Sequence, residues 1–253
     1  MSDVVRYAVS DGIAHIVLHR PPVNALNLDT IRAVVAALRR AAADDDARAV
    51  VLESAIARHF CAGLDLAVLL GKTADEVRAF LDELYINLHQ SQFDLGKPSI
   101  AAVGGSARGG GMTMAISCDV IVASQSATFG YPEINIGVVP AIHFAHLPRI
   151  VGRHRAFELL FSGRSFAASE AYELGLVSKV VADAELDAAA TALATDFASK
   201  SSAVMQSARA AFMRQNDYRR SIAEAVDDFC NIVTTDAAQE GIRAFLEKRA
   251  PRW

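Results

Sequence analysis

Apolar residues alternate or run continuously from Val4 to Val9 and from Ile13 to His19, on either side of Ser10-Asp11-Gly12. That pattern predicts a β-hairpin with a glycine at its turn. Pro21-Pro22 closes the second strand. After Asn24-Ala25-Leu26-Asn27, the spacing of Ile31, Val34, Val35 and Leu38 predicts a helix that stops before Asp44-Asp45-Asp46, read as a solvated loop. Ala49 to Leu52 is a short buried strand. Thr73-Ala74-Asp75-Glu76 is a capping box opening a helix with Val77, Phe80, Leu81, Leu84 and Leu88 on one face. Ser99 to Val103 is another buried strand, and the glycine-rich run 104–111 leads from it into a helix ending near Cys118. Val120 to Ala123 and Thr128-Phe129 continue the strand pattern, followed by a loop carrying Tyr131-Pro132-Glu133. From Arg153 onward helices dominate, apart from a brief strand at Val177 to Val181, and the last helix covers Gln239 to Lys248. Strands alternating with helices over the first 150 residues predict an α/β layer, onto which the helical remainder or a second subunit packs.

Composition narrows the function. The chain of 253 residues is long enough for one sizeable core and cramped for two independent domains. A net charge of −4 with no excess of Lys or Arg argues against a nucleic-acid partner. No stretch offers 18 uninterrupted apolar residues, so no membrane span is expected. Met1-Ser2-Asp3 runs into a strand without the basic and apolar regions of a secretory signal. Cys61, Cys118 and Cys230 are odd in number and lack C-x-x-C spacing, which suits a reducing cytosol and a role as small apolar residues.

Chemistry is most legible in the glycine-rich run. Residues 104–111 contain no dinucleotide-binding, P-loop or nucleophile-elbow pattern. They do place Gly109-Gly110-Gly111 at a helix start, where backbone N–H groups are free and the helix dipole favours developing negative charge. Two readings stand at this point: an oxyanion hole, or glycines that permit close strand–helix packing. His59 to Leu66, after the strand Ala49 to Leu52, is a second segment with small residues in a turn. A second N–H from it would let two main-chain donors converge on one thioester oxygen.

Asn24-Ala25-Leu26-Asn27, Phe60 to Leu66, Lys97 to Val103, Gly109-Gly110-Gly111, Cys118-Asp119, Phe129 to Glu133 and Glu240 to Arg249 resemble, in order and spacing, the crotonase superfamily of enoyl-CoA hydratases and isomerases. The resemblance covers nearly the whole chain. It implies a crotonase-like spiral of ββα turns, with a core at residues 1–190 holding an acyl-CoA site and a C-terminal helical trimerisation part at 191–253. It also implies a homotrimer or dimer of trimers in the cytoplasm, and a coenzyme A thioester as substrate with no metal or redox cofactor. By motif position, the oxyanion donors are Leu64 and Gly110. The substrate-binding positions are Ala25, Ala62, Gly63, Thr113, Tyr131 and His143.

Hydratases of the superfamily carry two glutamates, one in the helix after the glycines and one in the Pro-Glu loop. Here the first position is Thr113 and the second is Glu133, the predicted catalytic residue; the alternative for Glu133 is a surface or ion-paired carboxylate. The resemblance makes enoyl-CoA hydratase the leading label. The missing carboxylate keeps open a double-bond isomerase using Glu133 alone, an acyl-CoA-binding homologue without turnover, and other enolate reactions. Hydratases also continue after the position of Pro140 with a glycine-rich run, whereas Ala141 to Arg149 is bulkier, which predicts a reshaped acyl pocket. His143 and His146, three apart, invite a metal or proton-relay reading beside that of core histidines. Asp65 and Asp119 are read as structural; the resemblance puts Phe245 and Lys248 where superfamily members can touch the adenine end of CoA, often from a neighbouring subunit, beside the plainer reading of residues without a binding role.

Overall fold

The computed structural model describes residues 4–253, so the expectation for Met1-Ser2-Asp3 falls outside the described residues. β1 (Val5–Ser10) and β2 (Ile13–Leu18) form the predicted antiparallel hairpin, and α1 (Leu28–Ala43) follows, capped by Asn27, whose side chain accepts the Thr30 N–H at 2.9 Å. The architecture then repeats a unit. β3 (Ala49–Ser54) leads to β4 (Arg58–Cys61), and β5 (Ser99–Val103) to β6 (Gly105–Arg108). In the same way β7 (Val120–Ser124) leads to β8 (Thr128–Gly130). The first strand of each pair adds in parallel to a six-stranded sheet of order β1-β2-β3-β5-β7-β10, and the second to a four-stranded sheet of order β4-β6-β8-β9. Each turn of chain thus contributes one strand to each sheet before a helical segment carries it to the next, which is the expected ββα spiral.

α2 (Ala74–Leu81) opens with the predicted capping box. It passes through a π-helical turn, Asp82–Asn87, into α3 (Leu88–Phe93). α4 (Gly110–Ser117) is buried at every position. α5 (Ala141–Val151), α6 (Arg153–Ser162), β9 (Ser165–Ala167), α7 (Ala168–Glu173) and β10 (Lys179–Val181) complete the second half of the core. α8 (Leu186–Ala198) covers the six-stranded sheet with Leu186, Ala190, Ala194 and Ala198. α9 (Ser202–Gln215), α10 (Arg219–Val233) and α11 (Asp236–Leu246) follow. Residue 190, the boundary expected between the core and the helical part, lies inside α8.

Several elements differ from the pattern-based reading. The run 104–111 is not one glycine-rich lead into a helix, because Gly105–Arg108 pairs with β4 and β8 as β6. β4 and β9 were not expected either. All three are strands of three or four residues, too short to show periodicity, and they exist because a neighbouring turn of the spiral offers a paired edge. Helical structure begins at Ala141 rather than Arg153; Ala141 to Arg149 forms α5 and contains Pro148. Pro148 is tolerated because the carbonyl it denies a bond, Phe144 O, lies one turn back on a half-buried face. The strand expected over Val177 to Val181 shortens to Lys179–Val181.

Polar side chains fix the junctions. Asn24, fully buried at a positive φ of 54°, accepts from Arg20 N and donates to Ser54 Oγ and Phe60 O. Arg20 in turn pairs with Asp65 at 2.8 Å. Asp119 accepts from Ser99 N and from Arg209 Nε, both at 2.8 Å, which ties α9 to the β5–β7 edge through an ion pair whose Arg209 is buried. Asp65 and Asp119 are therefore structural, as expected from their turns.

Candidate active site

The end of β4 places Ala62, Gly63 and Leu64 beside the start of α4. The amides of Leu26 and Asp65 and the carbonyls of Gly63 and Leu26 are consumed by an isolated parallel bridge, Leu26 N to Gly63 O at 2.7 Å and Asp65 N to Leu26 O at 2.9 Å. The N–H of Leu64 lies between them and has no partner among the described residues. Gly110 is the first residue of α4, so its N–H has no intrahelical acceptor. A methyl group built on Gly110 would lie 3.5 Å from Leu64 N, and one on Gly63 3.4 Å from Gly110 N. The two free donors thus border the same small space.

The three glycines divide the two readings between them. A Cβ at Gly111 would stand 2.2 Å from Cys61 O, so this glycine permits α4 to pack on β4. Gly109 has φ +47° and ψ −113°, a conformation that side chains resist, and its Cβ would fall 2.7 Å from Glu133 Oε1. Gly110 supplies the unpartnered N–H.

Glu133 sits in a 3₁₀ turn, Pro132–Ile136, rather than in the open loop expected. Gly241 of α11 clamps that turn, since a Cβ there would meet Ile136 O at 2.2 Å. The carboxylate is not ion-paired: Oε2 is buried without a partner among the described residues. Burial penalises its charged form and pushes its pKa up from 4.5 to about 7, opposed by its own backbone N–H. The sign of the linkage follows. Between pH 4.5 and 7 the unfolded chain has lost a proton that the folded chain retains, so stability falls as pH rises through that window and is level above it. Denaturation curves of wild type and Glu133→Gln should therefore diverge in favour of the Gln protein from about pH 4.5 to pH 7, and run parallel above; a difference independent of pH would refute the raised pKa.

These groups open onto a cavity of about 400 Å³. Ala62, Gly63, Leu64, Gly109, Gly110 and Glu133 form its reactive wall, and among the described residues Glu133 is the only carboxylate lining it. Tyr85, carried by the π-helical turn, faces them with Leu66 and Val138, while Phe229 of α10 and Phe245 and Arg249 at the C-terminus close the far side. Phe229 falls in none of the motifs, and Arg249 was singled out only as part of one. A buried aromatic on a helical face carries no sign of which side of the core it meets, and the tail reaches the cavity only through the packing of α11. Lys248 does not line it.

Four other predicted positions lie outside the cavity wall. Ala25 is half-buried, with its carbonyl accepting from Arg20 at 2.7 Å. Thr113, Tyr131 and His143 are buried behind Gly109 and Glu133. Thr113 Oγ1 is 3.4 Å from His143 Nε2, and the His143 ring lies 4.6 Å from that of Tyr131. His143 and His146 do share a helix, yet among the described residues no group of three or more His, Cys, Asp or Glu is placed to hold a metal ion. No helix among the described residues is long and apolar enough to cross a membrane.

A spiral of ββα turns with two free amides and one carboxylate at a shared cavity is the architecture of an acyl-transfer or enolate enzyme. Residues 8–253 match the family profile described as enoyl-CoA hydratase/isomerase, and the chain belongs to that family, within the crotonase superfamily. It is 34% identical over 245 residues to a crotonyl-CoA hydratase of Syntrophomonas wolfei, covering 94% of this chain and 93% of that one. It is 33% identical to a short-chain-enoyl-CoA hydratase of Clostridium acetobutylicum, covering 94% and 92%. The crystal structure of an enoyl-CoA hydratase from Bacillus anthracis superposes with a TM-score of 0.79 at 30% identity, covering 99% of both chains.

Proposed function

We propose that the cavity binds a 2-enoyl-CoA thioester, holds its carbonyl oxygen between the N–H groups of Leu64 and Gly110, and uses Glu133 to move the proton in hydration of the double bond. The observation that carries this is one carboxylate, with its proton affinity raised to near neutrality, facing two unpartnered amides. Glu133 as the carboxylate takes a proton from a water whose oxygen bonds to C3. The π electrons shift to C2 and the thioester oxygen, where the two N–H donors stabilise the enolate, a contribution of about 3–4 kcal/mol per donor. The carboxylic acid then returns the proton to C2, so one water is added and the enzyme is regenerated without a metal or redox cofactor. Ala62 and Gly63 line the thioester's path, while Ala25, Thr113, Tyr131 and His143 support it from behind.

A second reading, 3-enoyl to 2-enoyl isomerisation, is favoured by Thr113. It stands where a second glutamate is expected and is buried away from the cavity, leaving Glu133 to take a proton from C2 and deliver it to C4. Absorbance of the conjugated thioester separates the two: loss with crotonyl-CoA marks hydration, and gain with a 3-enoyl-CoA while crotonyl-CoA persists marks isomerisation. No change with either sinks both.

The cytoplasm is the compartment proposed, on the basis of the three unpaired cysteines. A homotrimer or dimer of trimers is proposed, with residues 191–253 as the trimerisation part, supported by exposed Val204, Phe212 and Leu246 within it, and checked by mass in solution.

A further inference from the structure

Hydration as described above leaves one hydrogen of the attacking water unassigned. Glu133 takes the other as a proton, and the oxygen must meet C3, so the remaining hydrogen needs an acceptor on the cavity wall. The position where the resemblance expects a second glutamate does not supply one. Thr113 is fully buried, lies outside the cavity wall, and has its Oγ1 3.4 Å from His143 Nε2.

Besides Glu133, three polar side chains among the described residues line the cavity: Asn135, Arg249 and Tyr85. Arg249 carries donors only, and Glu240 and Glu247 each hold it at 2.6 Å. Asn135 is exposed and donates its amide to Gly163 O at 3.3 Å, which draws it toward the surface. Tyr85 differs from both. It is 3% exposed, and its hydroxyl has no hydrogen-bond partner among the described residues. Unlike the hydroxyl of Tyr131, it is not sealed off from open space, and the space it borders is the cavity.

The backbone around Tyr85 holds it there. The turn Asp82–Asn87 closes with the Leu88 N–H on Glu83 O, five residues back rather than four, and packs against α1, α4 and α10. Such π-helical turns are frequent at functional sites. His89 Nδ1 donates to the Tyr85 carbonyl at 2.9 Å, which anchors the main chain behind the ring.

Building on the hydration reading, we propose that Tyr85 is a further catalytic residue: its hydroxyl accepts the second hydrogen of the water that Glu133 deprotonates, and so holds that water's oxygen toward C3. No bond to Tyr85 is made or broken. The phenol is a partner to the water and not a base, because burial, and after it the charge of Glu133, push its pKa up and keep it protonated.

A second activity of the same site separates this role from general damage. Butyryl-CoA has no double bond to take up water. Glu133 and the two amides can still remove a proton from its C2 and return a deuteron in D₂O, which mass spectrometry counts. Hydration of crotonyl-CoA and C2 exchange in butyryl-CoA would be measured for the wild type and for Tyr85→Phe, which removes the hydroxyl alone. The ratio of hydration to exchange should fall about tenfold in the variant, the worth of one neutral hydrogen bond, since exchange needs no water at C3. Tyr85→Met fills the space with an adaptable apolar chain and carries the same expectation. An unchanged ratio overturns the inference, whether both rates fall together or neither does. A wild type that hydrates while the ratio holds in both variants rejects Tyr85 alone. A wild type that exchanges butyryl-CoA but leaves crotonyl-CoA intact rejects hydration and Tyr85's part in it, and one that does neither rejects the enolate chemistry as well.

Discussion

Glu133→Gln is expected to remove turnover, lowering kcat by a factor on the order of 10²–10⁴ or more, while the Kd for a CoA ester stays within a few-fold. Gln keeps the size and the 3₁₀ turn but can neither accept nor return a proton. With a single carboxylate at the cavity among the described residues, none of their carboxylates takes over. In the wild type, kcat/KM should rise with pH through about 7, since the free enzyme must first lose the proton that burial holds on Glu133. A fully active Gln protein, or a profile flat between pH 5 and 8, would remove Glu133 from the mechanism.

Gly109→Ala is the second large effect, and it comes from backbone geometry. The alanine would have to adopt φ +47°, at a cost of about 1–3 kcal/mol. Its methyl would also intrude to 2.7 Å from Glu133 Oε1, displacing the carboxylate from the amides it faces. A misplacement of about 1 Å in a catalytic group can cost about 10²-fold in rate. The expected result is a folded protein with a melting temperature lowered by several degrees and kcat reduced at least as far. Gly152→Ala is the control: it shares a positive φ of 81° but has nothing within 4 Å of the added methyl, so it should lose stability without losing rate. Equal activity losses in both variants would show that backbone strain, and not contact with Glu133, is responsible.

The two catalytic variants depend on one arrangement, in which α4, the Glu133 turn and α5 meet at Gly109. Glu133 Oε1 lies 2.7 Å from where a Cβ on Gly109 would stand, Thr113 N donates to the Gly109 carbonyl at 3.1 Å, and Thr113 Oγ1 reaches His143. Changes behind Gly109 are therefore transmitted to the carboxylate through packing.

The chain's own pattern determined much of this. Alternation set the hairpin, the apolar runs set the three central strands, and the Thr73 capping box set the start of α2, because each depends on residues within a few positions of one another. The ordered motifs also marked Leu64, Gly110 and Glu133, which the fold brings to one cavity. What tertiary structure alone decided were features that depend on a partner distant in sequence. β4, β6 and β9 become strands only when an adjacent turn of the spiral offers an edge. Which glycine supplies a donor and which merely admits a neighbouring carbonyl depends on the atoms opposite it. Phe229, Phe245 and Arg249 join the site because α10 and α11 fold back over it. The pKa of Glu133 is set by desolvation, a property of everything that surrounds the carboxylate and of no residue next to it in the chain.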